Sequence, residues 1–168
     1  TARKAITVGA VDKNKIMADF SSKGPMRWKI SNRELFLLKP DIVAPGVDIC
    51  AAQFDDWLSY LECLDDKHIA ISGTSMATPH AAGLAALIKQ RNPTYEPDEI
   101  KTIIKNTAEL LPEAEKIPAQ GFGLVDVFAS VFFDEPMIVK LNEIEVNELV
   151  IFNIKGKIEG NNFDHYTI

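Results

Sequence analysis

Apolar and polar positions divide this chain into short strand-like runs, polar breaks and helical stretches. Ala5-Ile6-Thr7-Val8-Gly9-Ala10-Val11 is rich in β-branched residues and predicts a strand. Asp12-Lys13-Asn14-Lys15 is a polar turn, and Phe20-Ser21-Ser22-Lys23-Gly24-Pro25 is a loop broken by Gly-Pro. Met26 to Leu38 mixes apolar and charged residues, with Arg27, Lys29 and Arg33 among them, and reads as a surface excursion. Ile42-Val43-Ala44 predicts a short apolar strand, Pro45-Gly46 a turn, and Val47-Asp48-Ile49 a second strand. Ile69-Ala70-Ile71-Ser72 predicts a buried strand that turns at Gly73.

The helix that follows has no polar face. Ala77, Ala81, Ala82, Leu84, Ala85, Ala86, Leu87 and Ile88 cover nearly every direction around its axis, so the pattern predicts burial on all sides. No run of about 18 apolar residues occurs, so it is not a membrane span. Further on, Asn92-Pro93-Thr94-Tyr95-Glu96-Pro97-Asp98 reads as a loop and helix start. Ile100, Ile103, Ile104, Ala108 and Leu111 then recur at helical spacing and predict an amphipathic helix over the core. Gly121-Phe122-Gly123 is a turn before a short helix from about Val125 to Val131. From Pro136 the character changes. Met137 to Leu141, Ile144 to Val146 and Leu149 to Ile154 are strand-like and suggest an accessory sheet, with a turn at Gly160-Asn161-Asn162.

Composition narrows the class. The 168 residues are 46% hydrophobic and 25% charged, enough for one domain with a sizeable core. A net charge of −6 with no basic stripe gives no support to nucleic-acid binding. Cys50 and Cys63 make neither a disulfide framework nor a zinc site; one bond between them and two free thiols are both open. Residues 53–67 carry Asp55, Asp56, Glu62, Asp65 and Asp66 without the Asp-x-Asp-x-Asp-Gly spacing of a calcium loop. They read as a solvated acidic loop packed down by Trp57, Leu58, Tyr60 and Leu61, with a short helix as one form of it.

An otherwise apolar helix that begins Thr74-Ser75 is where chemistry can sit. The first N–H groups of a helix have no intrahelical partner, and the helix dipole favours negative charge beyond them. A serine there can attack a carbonyl while its own N–H faces the oxyanion that forms, and each such donor is worth roughly 3–4 kcal/mol in the transition state. Pro79 is tolerable only near the first turn. The plain alternative is that Thr74 or Ser75 is simply the N-cap.

The stretch Gly73-Thr74-Ser75-Met76-Ala77-Thr78-Pro79-His80-Ala81-Ala82-Gly83 resembles the nucleophile motif of the subtilisin-like serine peptidases over eleven consecutive positions. It differs from the G-x-S-x-G elbow, because Ala77 stands where the second glycine would be. Ile6 to Val11, Phe20 to Pro25, Lys39 to Ile49 and the Gly121-x-Gly123 turn are similar to other segments of the same family, in the same order. The resemblance covers about Ala5 to Val131. It implies an α/β class: a partial subtilisin-like fold, with a mostly parallel sheet flanked by helices and a short β-rich tail. Residues 1–133 would be the C-terminal portion of a peptidase catalytic domain, and 134–168 a β-rich extension. Ser75 would be the nucleophile, and Thr74 would shape the turn and help hold the oxyanion site.

A serine hydrolase also needs a base and an orienting acid. His80 lies five residues past Ser75 and is rotated by roughly 140° on the helix. His68 is separated from Ser75 by a strand, some 20 Å at about 3.3 Å per residue. His165 is in the tail. Asp41 and Asp48 do not stand in the family's triad-acid context. The resemblance therefore implies that the aspartate, the histidine and the oxyanion asparagine belong to an upstream half, and that this chain is a segment of a longer protein, inactive alone. The implied partners are a polypeptide substrate and that upstream half; a fragment with open strand edges is also expected to self-associate. No cofactor is implied; structural calcium is common in the family, but no ligands here match it. The resemblance favours an extracellular or cell-envelope location and leaves an intracellular one open. A second reading, of another class, is a non-catalytic interaction module derived from a peptidase and associating through its sheet edges.

Overall fold

The computed structural model describes residues 4–30, 33–54, 59–112, 117–133, 138–146 and 152–159. Its centre is a parallel pair of strands, β1 (Val8–Val11) and β4 (Ile42–Pro45), in register from Val8 opposite Ile42 to Val11 opposite Pro45. The chain returns to this pair much later. Val43 donates to the Gly123 carbonyl, Val125 donates to that of Val43, and Leu124 pairs on its other side with Glu109. Gly121 and Gly123 have φ of 62° and 120°. A Cβ at Gly121 would lie 2.2 Å from the Pro40 carbonyl oxygen, so no larger residue can bring the chain in at that point.

One helix, α1 (Thr74–Arg91), packs across β1 and β4. Its buried residues are Ala77, Ala81, Leu84 and Ile88, which share one stripe. Ala81, Leu84 and Ile88 join Ile42 and the α2 (Pro97–Asn106) residues Ile103 and Ile104 in the main core. Fully burying an aliphatic side chain of this size contributes roughly 1.5–3 kcal/mol. Helix α2 starts at a capping box, in which the Glu96 N–H donates to the Glu99 carboxylate and Pro97 occupies the first turn. Two short helices, α3 (Ile117–Gln120) and α4 (Val127–Val131), complete the helical layer. The buried Gln120 side chain accepts from the Leu111 N–H, and Asp126 caps α4 by accepting from Ala129.

Three antiparallel hairpins accompany this centre: β2 (Met26–Ile30) with β3 (Arg33–Leu37), β5 (Ile49–Ala52) with β6 (His68–Ile71), and β7 (Ile138–Val146) with β8 (Phe152–Glu159). The α/β class holds, with its parallel pairing in β1 and β4. The stretch expected to be a surface excursion forms the β2–β3 hairpin. The strand character expected after Pro136 is the β7–β8 hairpin, while the Gly160-Asn161-Asn162 turn lies outside the described residues.

The expectation that α1 is buried on all sides does not hold within this chain. Ala82, Gly83 and Ala86 are exposed, Leu87 is 45% exposed, and nothing lies within 4 Å of where a Gly83 Cβ would point. The two strands, α2 and α4 cover one side of the helix and leave the other open. No helix among the described residues is long and apolar enough to cross a membrane.

Candidate active site

Small side chains bring the start of α1 close to the strand ends. Ala10, Ala18, Ala44 and Ala77 form a separate buried cluster at this end of the sheet. Gly46 sits against the turn before the helix: a Cβ there would lie 2.7 Å from that of Ala10 and 2.8 Å from the Gly73 carbonyl oxygen. The Gly73 N–H donates to the Gly46 carbonyl at 2.8 Å. One residue earlier, the Asp48 N–H donates to the Ser72 hydroxyl at 2.9 Å, and that hydroxyl donates to the Asp48 carboxylate at 3.2 Å. The loop after β4 and the end of β6 are thus tied together directly below Thr74 and Ser75.

The N-cap of α1 is Gly73, and no side chain caps the helix. Ser75 is therefore the second helical residue. Its side chain is exposed and its hydroxyl is not spent on a cap, which removes the plain alternative. Thr74 is the first helical residue and half-buried. Its carbonyl accepts from the Thr78 hydroxyl at 2.8 Å. With the first N–H groups unpaired by helix geometry, this end offers an exposed hydroxyl beside donors suited to a developing oxyanion.

Among the described residues, no histidine is brought to that hydroxyl. His80 turns back on its own helix, with Nδ1 2.9 Å from the Met76 carbonyl oxygen. His68 stands at the far end of β6 and pairs through Nδ1 with Asp65 at 2.6 Å. The hydrogen bond from His68, and next the one from the Lys67 N–H, hold the Asp65 carboxyl below its ordinary range. This pair joins the β5–β6 loop to the start of β6. His165 lies outside the described residues.

Asp41 is buried at the opposite end of β4. The Thr7 N–H and hydroxyl donate to its Oδ2 at 2.8 and 2.9 Å, Lys39 pairs with the same oxygen, and Lys101 and Lys105 stand 3.8 and 4.0 Å from Oδ1. Burial alone would raise its pKa; Lys39, the two Thr7 donors and Lys101 outweigh burial and lower it. Burial lowers the Lys105 pKa, and the neighbouring Lys101 and Lys39 add to the effect against the pull of Asp41. Asp41 ties the strand ends to α2. Asp48 serves the turn below Ser75 through Ser72. The sequence reading did not single out Ser72, whose reciprocal bond has no motif of its own.

The cysteines, open in the sequence, are bonded: Cys50 on β5 joins Cys63, with Cα atoms 5.9 Å apart. Tyr60, expected to pack the acidic loop down, is 79% exposed on a 3-10 turn, Ser59–Leu61. Trp57 and Leu58 lie outside the described residues.

The start of α1 thus presents an exposed serine, entered from a strand through Gly73-Thr74 and braced by the Pro45-Gly46 turn. The sequence profile of the Subtilase family matches residues 1–125, and the chain belongs to that family. It is 42% identical over 116 residues to the serine protease AprX of Bacillus subtilis (strain 168), covering 62% of this chain and 25% of AprX. It is 42% identical over 124 residues to the subtilisin-like protease SBT2.4 of Arabidopsis thaliana, covering 71% of this chain and 14% of that protein. Among solved structures, fervidolysin from Fervidobacterium pennivorans, described as a keratinolytic enzyme related to subtilisin, superposes with a TM-score of 0.61 and 25% identity over 82% of this chain and 22% of its own. The chain thus spans a quarter or less of these three proteins.

Proposed function

We propose that this chain carries the nucleophile of a serine endopeptidase, with Ser75 attacking the peptide carbonyl to form an acyl-enzyme. The observation that carries this reading is the placement of Ser75: second residue of α1, exposed, with Gly73 rather than a side chain at the cap. Thr74 shapes the turn and helps hold the oxyanion site. The substrate is a polypeptide. The base and the orienting acid come from elsewhere in the intact protein, because neither His68 nor His80 faces the serine. Residues 1–133 act as part of the catalytic domain, and 134–168 as an extension of it. The 168-residue chain alone is a poor catalyst, since a serine without its base retains only binding and oxyanion effects.

The test is labelling with a fluorophosphonate, which reacts only with an activated serine. The intact protein is expected to be labelled, and its Ser75→Ala variant is not. Equal labelling of the two removes Ser75 from the mechanism. No labelling of either favours the non-catalytic module.

A further inference from the structure

The β5–β6 ladder ends at the pair Ile49 and Ile71. The next positions in register are Asp48 and Ser72, one residue before Gly73 and three before Ser75. Beyond the last strand pair the contact passes to side chains. Asp48 has a φ of 51°, in the left-handed region that a strand cannot use. Its N–H donates to the Ser72 hydroxyl at 2.9 Å, and that hydroxyl donates back to Oδ1 of Asp48 at 3.2 Å. A residue persists in this conformation where its surroundings hold it there, and the closed exchange with Ser72 does so.

The consequence falls on the nucleophile. Strand β6 is held by its ladder as far as Ile71, and α1 is seated by packing from Ala77, which lies against Ala10 and Ala44. Ser75 stands on the stretch between. No side chain caps the helix there, and a Cβ at Gly73 would meet nothing closer than 3.5 Å, so neither capping nor packing at Gly73 fixes the turn. Hydrogen bonds to the β4–β5 loop do. The Gly73 N–H donates to the Gly46 carbonyl, and the Gly46 N–H donates to that of Val11 in β1. A single hydrogen bond leaves a turn free to rock about it. The Ser72–Asp48 exchange, one residue away, removes that freedom. We propose that Asp48 is a positioning residue for the reaction: through Ser72 it fixes the turn from which α1 starts, and so aims the Ser75 hydroxyl and the N–H groups beside it. The proposal rests on the peptidase reading of Ser75. Asp48 acts here through Ser72, with no proton transferred. A nucleophile misplaced by about 1 Å can lose about a hundredfold in rate, so a small brace can have a large effect.

The test uses the intact protein and a chromogenic peptide amide, with active sites counted by fluorophosphonate titration and folding followed by the melting temperature. Asp48→Gly removes the carboxylate and leaves the backbone at ease, because glycine holds a φ of 51° without cost. Ser72→Ala removes the hydroxyl. Each should lower kcat per active site by between about tenfold and about a hundredfold, with KM unchanged, the mark of an interaction that matters only in the transition state. The double variant should lose no more than the larger single loss, since both changes remove one exchange. Asp48→Asn keeps an acceptor at Oδ1 and tolerates a left-handed φ, and Ser72→Thr keeps the hydroxyl; both should restore kcat. Hydrogen–deuterium exchange of the peptide spanning Ser72 to Met76 should be faster in Asp48→Gly and Ser72→Ala than in wild type, a reading independent of catalysis. A brace that only stabilises the fold would lower the melting temperature and leave kcat per active site unchanged, and that result overturns the proposal. Equal losses in Asp48→Asn and Ser72→Thr, a loss confined to KM, or unchanged exchange in both disrupting variants overturns it too. A wild-type protein without Ser75-dependent hydrolysis overturns the peptidase reading itself, an outcome distinct from an active wild type whose variants keep full kcat.

Discussion

The two faces of α1 have nearly the same composition and opposite surroundings. The inner face, Ala77, Ala81, Leu84 and Ile88, is buried against β1, β4 and α2. The outer face, Ala82, Gly83, Ala86 and Leu87, is open. An exposed helix face ordinarily carries charged or polar residues, and here it carries none between His80 and Lys89. Apolar patterning therefore records the surroundings in which a helix works, and a chain can hold a helix built for more cover than the chain itself supplies. We infer that the outer face is covered in the intact protein by the portion that also brings the base and acid to Ser75.

The inner face should be the most sensitive place in the molecule. Leu84→Asp puts an unpaired charge among Ile42, Ile103 and Ile104, at a cost of several kcal/mol against a total stability of about 5–15 kcal/mol. The expected outcome is a chain with no cooperative urea transition. Leu87→Asp, one turn face away, should change the stability of the 168-residue chain by no more than about 0.5 kcal/mol. A native-like melt for Leu84→Asp, or an equal collapse for Leu87→Asp, would erase the distinction between the faces. Leu87→Asp should also reduce self-association, which the exposed outer face and the exposed Phe128 and Phe132 lead us to expect of the isolated chain. Light scattering at micromolar concentration reads both proteins.

The inner face also depends on α2 staying docked, and α2 reaches Asp41 through Lys101 and Lys105. Asp41→Ala leaves Lys39, Lys101 and Lys105 without their shared carboxylate and is expected to cost about 3–5 kcal/mol. The pH dependence has a definite sign. The folded pKa of Asp41 lies below its ordinary value of 3.8, so its contribution is complete above that value and is lost as pH falls through the folded value. Acid denaturation curves of wild type and Asp41→Ala should therefore converge below pH 3.8. Curves that stay parallel down to the lowest pH would show that Asp41 is not what ties α2 to the sheet.

Most of the parallel centre was legible because its signals are local. β-branched runs at Ile6 to Val11 and Ile42 to Ala44, the Gly73 turn and the 3.6-residue recurrence of Ile100, Ile103 and Ile104 each report one element. Ser75 was legible because a polar pair opened an apolar helix. What the sequence hid depends on pairing between distant residues. The Cys50–Cys63 bond, the Ser72–Asp48 exchange and the three lysines on Asp41 all join positions that carry no period. The β2–β3 hairpin carried half a signal: Met26-Arg27-Trp28-Lys29-Ile30 alternates strictly, as a strand does, but its partner Arg33-Glu34-Leu35-Phe36-Leu37 does not.

The smallest expected effect is the sharpest test of the two faces, because it changes sign with context. Gly83 sits in the interior of α1, where glycine is less favourable than alanine by about 1 kcal/mol. In this chain a Cβ at Gly83 meets nothing within 4 Å, so Gly83→Ala should stabilise the isolated chain by up to about 1 kcal/mol. Gly83→Leu should be tolerated there as well, since the added side chain enters open space. In the intact protein the covering portion would pack on this face, and Gly83→Leu would then overpack it at about 1–3 kcal/mol. Chemical denaturation of both variants in both contexts measures the difference directly. A Gly83→Leu variant as stable as wild type in the intact protein would mean that the outer face stays open there too. The apolar residues along it would then need a partner other than the rest of this protein.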